Sequence, residues 1–422
     1  GDGEPEIVSA TGLFNLALVA FEADGALEWT SETVWPHDQG GAVGIADFDN
    51  DGSPEVYADG AIVSATGTTR FVAPAQTGWF LGQRNTATTA ADLDGDGDLE
   101  LVLGQSAYHH DGTPIWNDPS ILPGYPQVAN LDADDDPEII VNNSGGITIL
   151  QHDGTIAFQD VRPTGDPAGL GSWFRPSTVH DFDDDGLSEF AVSSASHYTV
   201  FFRNLTVMWS TDVADASGWA AGTAFDFLGD GGAEAMYADE ESLFVFDETG
   251  TPVLAVPRSS KTLIEYPVVA DVDNDGHADI VVPSDDIQGT GYCSDQSPEK
   301  DTNLPHTGTT YGIFVLKDPM DRWVPSRGVW NQHAYHITNV GDDGSIPAQE
   351  TPNWTSYNNY RQNVQGAAGN APPQGDVTGK GASGQDQGDC VKVQRLFAQV
   401  CNRGAAPLSA NLPSTFYRMD PR

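Results

Sequence analysis

Asp92-Leu-Asp94-Gly-Asp96-Gly97-Asp-Leu-Glu100 carries acids at its first, third, fifth and ninth positions and glycine at its sixth. The same grammar recurs whole at Asp47-Phe-Asp49-Asn-Asp51-Gly52-Ser-Pro-Glu55, at Asp181-Phe-Asp183-Asp-Asp185-Gly186-Leu-Ser-Glu189 and at Asp271-Val-Asp273-Asn-Asp275-Gly276-His-Ala-Asp279. Two copies are altered. Asn130-Leu-Asp132-Ala-Asp134-Asp135-Asp-Pro-Glu138 begins with an amide and has Asp135 in place of the glycine. Asp226-Phe-Leu228-Gly-Asp230-Gly231-Gly-Ala-Glu234 puts Leu228 at the third position. Gly1-Asp2-Gly3-Glu4-Pro5-Glu6 matches the second half of a seventh copy, so the chain is expected to be cut from a longer precursor.

The first positions of successive copies lie 45, 38, 51, 45 and 45 residues apart. A period of this size suits a four-stranded propeller blade. Each Asp cluster is preceded by a short run such as Pro267-Val-Val-Ala270 and followed by an apolar run such as Glu138-Ile-Ile-Val141. Both read as strands by length and composition. A hairpin comes next, marked by Asp24-Gly25, Asp111-Gly112 or Asp153-Gly154, and Asp-Gly between apolar runs is a strong hairpin signal. The expected fold is therefore all-β: a seven-bladed β-propeller over residues 1–365.

The acids of the loop have a chemical reading. Calcium takes six to eight oxygens in flexible geometry. Alternate side chains turn inward as the loop curls, the glycine permits the sharp turn, and the ninth residue closes the shell. The expected ligands are Asp47, Asp49, Asp51 and Glu55; Asp92, Asp94, Asp96 and Glu100; Asn130, Asp132, Asp134 and Glu138; Asp181, Asp183, Asp185 and Glu189; and Asp271, Asp273, Asp275 and Asp279. An acidic turn solvated by water is the alternative, but recurrence with one internal spacing argues against it. Carboxylates this close also repel unless a cation joins them. The Asn130 loop is expected to bind more weakly. The Asp226 loop is expected to bind weakly or not at all, because Leu228 offers no oxygen.

The Asp loop and its blade grammar resemble the FG-GAP and VCBS-type repeats of integrin α-chain heads and bacterial secreted proteins, over roughly residues 1–330. That resemblance implies a calcium-binding propeller. The literal FG and GAP pieces are not evident, so integrin-like recognition is not implied. Trp330-Asn-Gln-His333-Ala-Tyr-His336, with Asn353-Trp354 and Asn359-Tyr-Arg361-Gln-Asn-Val-Gln365, resembles the closing part of bacterial surface propeller proteins. Residues 323–365 are accordingly expected to close the ring, with Asn331 to Val340 pairing against residues 5–9 to complete the first blade; residues upstream of Gly1 or a strand from a neighbouring subunit are the alternatives. His333 and His336 are read as part of a buried polar seam, not as zinc ligands, since no third ligand is identifiable.

Residues 366–389 read as a flexible linker. Residues 390–422 resemble the start of a small β-sandwich of the CARDB type, with strands at Val391-Lys-Val, Leu396–Cys401 and Ser414–Tyr417. Cys390 and Cys401 are candidates for a bridge, and Cys293 stands alone.

Composition bounds the function. There are 62 acidic against 18 basic residues, a formal net charge of −44. Such a surface repels nucleic acid and anionic membranes, and no apolar run reaches a membrane span. With 39 % hydrophobic residues and ten Trp, the chain is not disordered. The segments leading into the inner strands carry Trp35-Pro-His37, Trp79 to Arg84, Trp173-Phe-Arg175 and Trp219. Aromatics beside Arg around a ring mouth suit a carbohydrate or peptide ligand; the alternative is that each Trp plugs a gap between blades. The reading that follows is an extracellular or cell-surface binding, adhesion or structural module, non-enzymatic, able to self-associate through open strand edges. Two alternatives are a calcium-dependent polysaccharide lyase or hydrolase on the same scaffold and a subunit of an extracellular filament.

Overall fold

The computed structural model describes residues 5–11, 17–32, 42–74, 76, 87–132, 134–169, 173–215, 220–260, 265–284, 312–366, 377–384 and 396–402. The chain is all-β. Among the described residues the strands form seven small antiparallel sheets of three or four strands, plus a separate pair. Within every sheet the strands follow chain order as a meander.

The first sheet is Ile7–Ala10, Leu18–Phe21 and Leu27–Thr30. The second is Gly44–Ala46, Glu55–Ala58, Ala61–Val63 and Thr69–Val72, and the third Thr89–Ala91, Glu100–Val102, Ser106–Tyr108 and Pro114–Asn117. The fourth is Gly124–Ala129, Glu138–Asn143, Gly146–Gln151 and Ile156–Val161, and the fifth Thr178–His180, Glu189–Ser193, His197–Phe201 and Val207–Asp212. The sixth is Gly222–Phe225, Glu234–Ala238, Ser242–Phe246 and Pro252–Pro257, and the seventh Val268–Ala270, Asp279–Ser284 and Gly312–Leu316. Each Asp loop joins the leading strand of a sheet to its second strand, as its flanking apolar runs demanded.

The sheets pack face to face in chain order. Ile140, Ile147 and Ile149 of the fourth meet Val179, Phe190 and Val192 of the fifth. The next strand residue, Ala191, turns the other way and joins Tyr198 and Val200 against Tyr237 and Phe244 of the sixth. Similar apolar clusters join the sixth to the seventh, the third to the fourth, the second to the third and the first to the second. A strand covered on both faces is mostly apolar, which is why these strands read as near-continuous runs rather than alternating ones; buried Gln127, Asn142 and Thr148 are polar exceptions. Each fully buried Val, Leu, Ile or Phe contributes about 1.5–3 kcal/mol. The two end sheets differ: Ile7 is 60 % exposed and Ile313 75 %.

Ala42, Ala87 and Phe174 precede the leading strands of the second, third and fifth sheets and Tyr125 stands near the start of the fourth sheet's, yet they form one cluster. The leading strands therefore converge. The segment 323–365 runs through that convergence. Its residues bond Ile45, Asn130, Val179, Ala224 and Val269, each in or at the end of a different leading strand.

Two expectations are corrected. First, residues 331–340 do not complete the first sheet: among the described residues Ile7–Ala10 pairs with Leu18–Phe21, and Ile337–Asn339 is a 3-10 turn. The amides Asn339, Asn353, Asn358 and Asn363 favour local and side-chain bonds over a ladder. Second, the expected linker contains a strand, Val377–Gly384, which pairs antiparallel with Leu396–Asn402. Its glycines lack side-chain packing, but their backbone groups still pair when an apolar strand lies alongside. Cys401 faces Thr378 in that register. Cys293, Cys390, Val391-Lys-Val and Ser414–Tyr417 lie outside the described residues.

Candidate metal centres

The loop's local physics recurs in the copies that begin with Asp, while Asn130 instead accepts the Asp132 amide and donates to the Asp134 carbonyl. The first Asp folds the loop around its own carboxylate. Asp47 Oδ1 and Oδ2 accept from the amides of Asp51 and Gly52 at 3.1 and 2.7 Å. Asp181 does so with Asp185 and Gly186, and Asp271 with Asp275 and Gly276. The sixth-position glycines have positive φ, 84° at Gly52 and 97° at Gly97, which a Cβ would penalise. Asn50, Asp184 and Asn274, at the fourth position, also have positive φ. Asn and Asp tolerate this region best among side-chain-bearing residues, a signal that sequence inspection passed over.

The ninth-position acid is fixed from below. Glu55 Oε2 accepts the amide of Phe48 at 3.0 Å, Glu100 that of Leu93 at 2.7 Å, and Glu138 that of Leu131 at 2.6 Å. Glu189 binds the amide of Phe182, Glu234 that of Phe227 and Asp279 that of Val272. One oxygen is thus committed to the backbone, and the other is left for a second partner: Arg70 Nη1 lies 2.9 Å from Glu55 Oε1, and His109 Nδ1 3.0 Å from Glu100 Oε1. In the Asn130 loop Glu138 Oε1 is buried without a hydrogen-bond partner.

Except for half-buried Glu234, the closing acids are almost wholly removed from water, and burial raises each of them. Glu55, Glu100, Glu138 and Glu234 are pushed to about 7, Glu189 to about 8 and Asp279 to about 6, with the backbone bond acting in the opposite direction. Buried carboxylates converging on one point are the donor set a hard cation takes. Asp47, Asp49 and Glu55 bring ligating atoms within 4.8 Å of one another, as do Asp92, Asp94 and Asp96, Asp132, Asp134 and Glu138, and Asp181, Asp183 and Glu189. Asp94, Glu100 and His109 form such a group too. At Asp226, Leu228 projects 49 % exposed.

The aromatic candidates fare differently. Trp173 is fully buried in the core between the fourth and fifth sheets, its indole N–H donating to Asp166 O at 3.2 Å. Arg175 is fully buried and donates through Nη2 to Asp215 O at 2.6 Å. Neither lines an open mouth, because the gap between converging strands is filled by these large side chains themselves. Trp35, Trp79, Arg84 and Trp219 lie outside the described residues. His333 and His336 join the central seam: Arg361 Nη2 lies 3.1 Å from His333 Nδ1, and His336 Nε2 meets Glu350.

No family model matches the sequence, and no curated sequence matches it. Among solved structures the chain is similar to the Vibrio cholerae biofilm matrix protein Bap1, with TM-score 0.68 and 17 % identity over 87 % of this chain and 84 % of that one. It is also similar to the Bacillus licheniformis rhamnogalacturonan lyase PL11, TM-score 0.44 and 17 % identity over 64 % of this chain and 50 % of the lyase. The exotype rhamnogalacturonan lyase YesX gives TM-score 0.45 and 18 % identity over 64 % of this chain and 52 % of the lyase. At these identities the Bap1 likeness is one of fold.

Proposed function

We propose that this chain is a non-enzymatic extracellular scaffold: a propeller whose blades are the antiparallel sheets and whose Asp loops hold calcium. The observation that carries this reading is the repeated closing acid, buried, anchored by one oxygen to the loop backbone and offering the other inward. Such a group is costly to bury without a cation. Calcium would be held by Asp, Asn and Glu oxygens and would supply charge compensation and rigidity, not a reaction step. The fold likeness to a biofilm matrix protein favours a matrix or surface role, with a protein or carbohydrate as the bound partner.

Melting in calcium and in chelator tests the metal: equal melting temperatures would remove calcium from the reading. Incubation with acidic and neutral polysaccharides tests the rest. Retention without new chain ends is expected, and cleavage would overturn the non-enzymatic assignment.

A further inference from the structure

The Asp loops differ in what already stands in them. In the Asp47 loop, Arg70 from the fourth strand of the same sheet places Nη1 2.7 Å from Asp49 Oδ2 and 2.9 Å from Glu55 Oε1. Its Nη2 lies 3.7 Å from Asp51 Oδ2. Those are the third, ninth and fifth positions, so the guanidinium stands among the acids expected to surround the ion. In the Asp271 loop, Lys317 Nζ lies 2.7 Å from Asp273 Oδ2 and also pairs with Asp275. Lys317 directly follows Leu316, the residue opposite Ile280 across the strand pair, so its stem is delivered to the loop by sheet register.

The other loops contrast with these. At Asp181, Asp183, Asp185 and Glu189 no ion pair with Lys or Arg forms among the described residues. There a cavity of about 240 Å³ opens, lined by Asp185, Ser188, Glu189 and Asn204, with Arg203 also on its wall but unpaired with the loop. Nor does any Lys or Arg pair with Asp132, Asp134 or Glu138 of the Asn130 loop among the described residues; the nearby base is His152, with Nδ1 3.5 Å from Asp136 Oδ2. At Asp92 no Lys or Arg pairs with the loop among the described residues; the nearby base is His109, with Nδ1 3.0 Å from Glu100 Oε1.

We infer that Arg70 and Lys317 are built-in counter-cations, so that the Asp47 and Asp271 loops are neutralised by the chain itself and calcium is confined to the Asp92, Asn130 and Asp181 loops. The inference rests on the calcium reading above. Its physical basis is competition for the same oxygens: calcium must displace a tethered cation whose effective concentration is high and independent of the medium. The flanking loops then stay ordered when calcium is withdrawn, while the middle ones respond.

The test is anomalous scattering from crystals of the unmodified chain grown in calcium, with calcium counted in solution by equilibrium dialysis. Density is expected in the Asp181 loop and none in the Asp47 and Asp271 loops. Arg70→Met and Lys317→Met keep the stem and remove the charge, and each is expected to bind one more calcium than the unmodified chain. Arg70→Lys, which keeps the charge, is expected to gain none. Calcium in the Asp47 and Asp271 loops of the unmodified chain, with Arg70 and Lys317 turned away, overturns the inference but leaves the calcium reading standing. Calcium in no loop of any variant overturns both. The unmodified crystal decides the matter even where a variant fails to fold.

Discussion

The carboxamide of Asn358 bonds both backbone groups of Asn130, accepting from its amide at 2.8 Å and donating to its carbonyl at 2.6 Å. One side chain thus does what a neighbouring strand would do, across 228 residues of sequence. Gln332 treats Ile45 in the same way. These two contacts, with the Tyr360–Val179 bridge, are how the segment 323–365 ties leading strands of different sheets together.

Removing such a tether leaves partly buried backbone groups unpaired, at about 1–3 kcal/mol. Asn358 has a φ of 46°, so Gly is the cleaner deletion than Ala. Asn358→Gly and Gln332→Ala are each expected to lower the urea midpoint, and unchanged unfolding curves would show the tethers to be incidental.

Glu189→Gln keeps an oxygen to accept the Phe182 amide but removes the charge facing the loop. A site held at 100 times its dissociation constant adds about 2.7 kcal/mol. The variant is therefore expected to melt near the unmodified protein in chelator and to lose part of the gain that calcium brings. A calcium gain equal to that of the unmodified chain would remove Glu189 from the ligand set.

Leu228→Asp should do the reverse. Asp226, Asp230 and Glu234 already stand in the loop, and the missing oxygen is at the exposed third position. Titration with calcium is expected to show one more site and a higher melting temperature. If binding is unchanged, the emptiness of that loop has another cause.

Without calcium, stability should rise on acidification. The closing glutamates lie at about 7 to 8 when folded, well above their ordinary range. A group raised on folding stabilises fully below its unfolded value and loses that contribution as pH climbs through its folded value. In chelator, melting is expected to be higher near pH 5 than near pH 8. In calcium the trend should invert, because protons compete with the ion. Asp318, held at about 2 by Arg322, acts only at lower pH and does not interfere in this window. Parallel pH trends with and without calcium would contradict the assignment.

The sequence by itself determined the local units. Acids at alternate positions, a glycine for the turn and a flanking apolar run each act within a few residues, so the loops and most strands were legible from Asp47 to Asp279. Tertiary structure alone decided the rest. Trp173 and Arg175 read either as facing a ligand or as filling a gap between blades, and their burial depends on which sheets converge upon them. The amides and Arg of 323–365 carry no period, and their partners lie in strands far away in sequence. Which basic side chains stand beside each loop was equally hidden. Arg70 and Lys317 sit outside the nine-residue motif, and only strand register carries their charges onto Asp49, Glu55, Asp273 and Asp275.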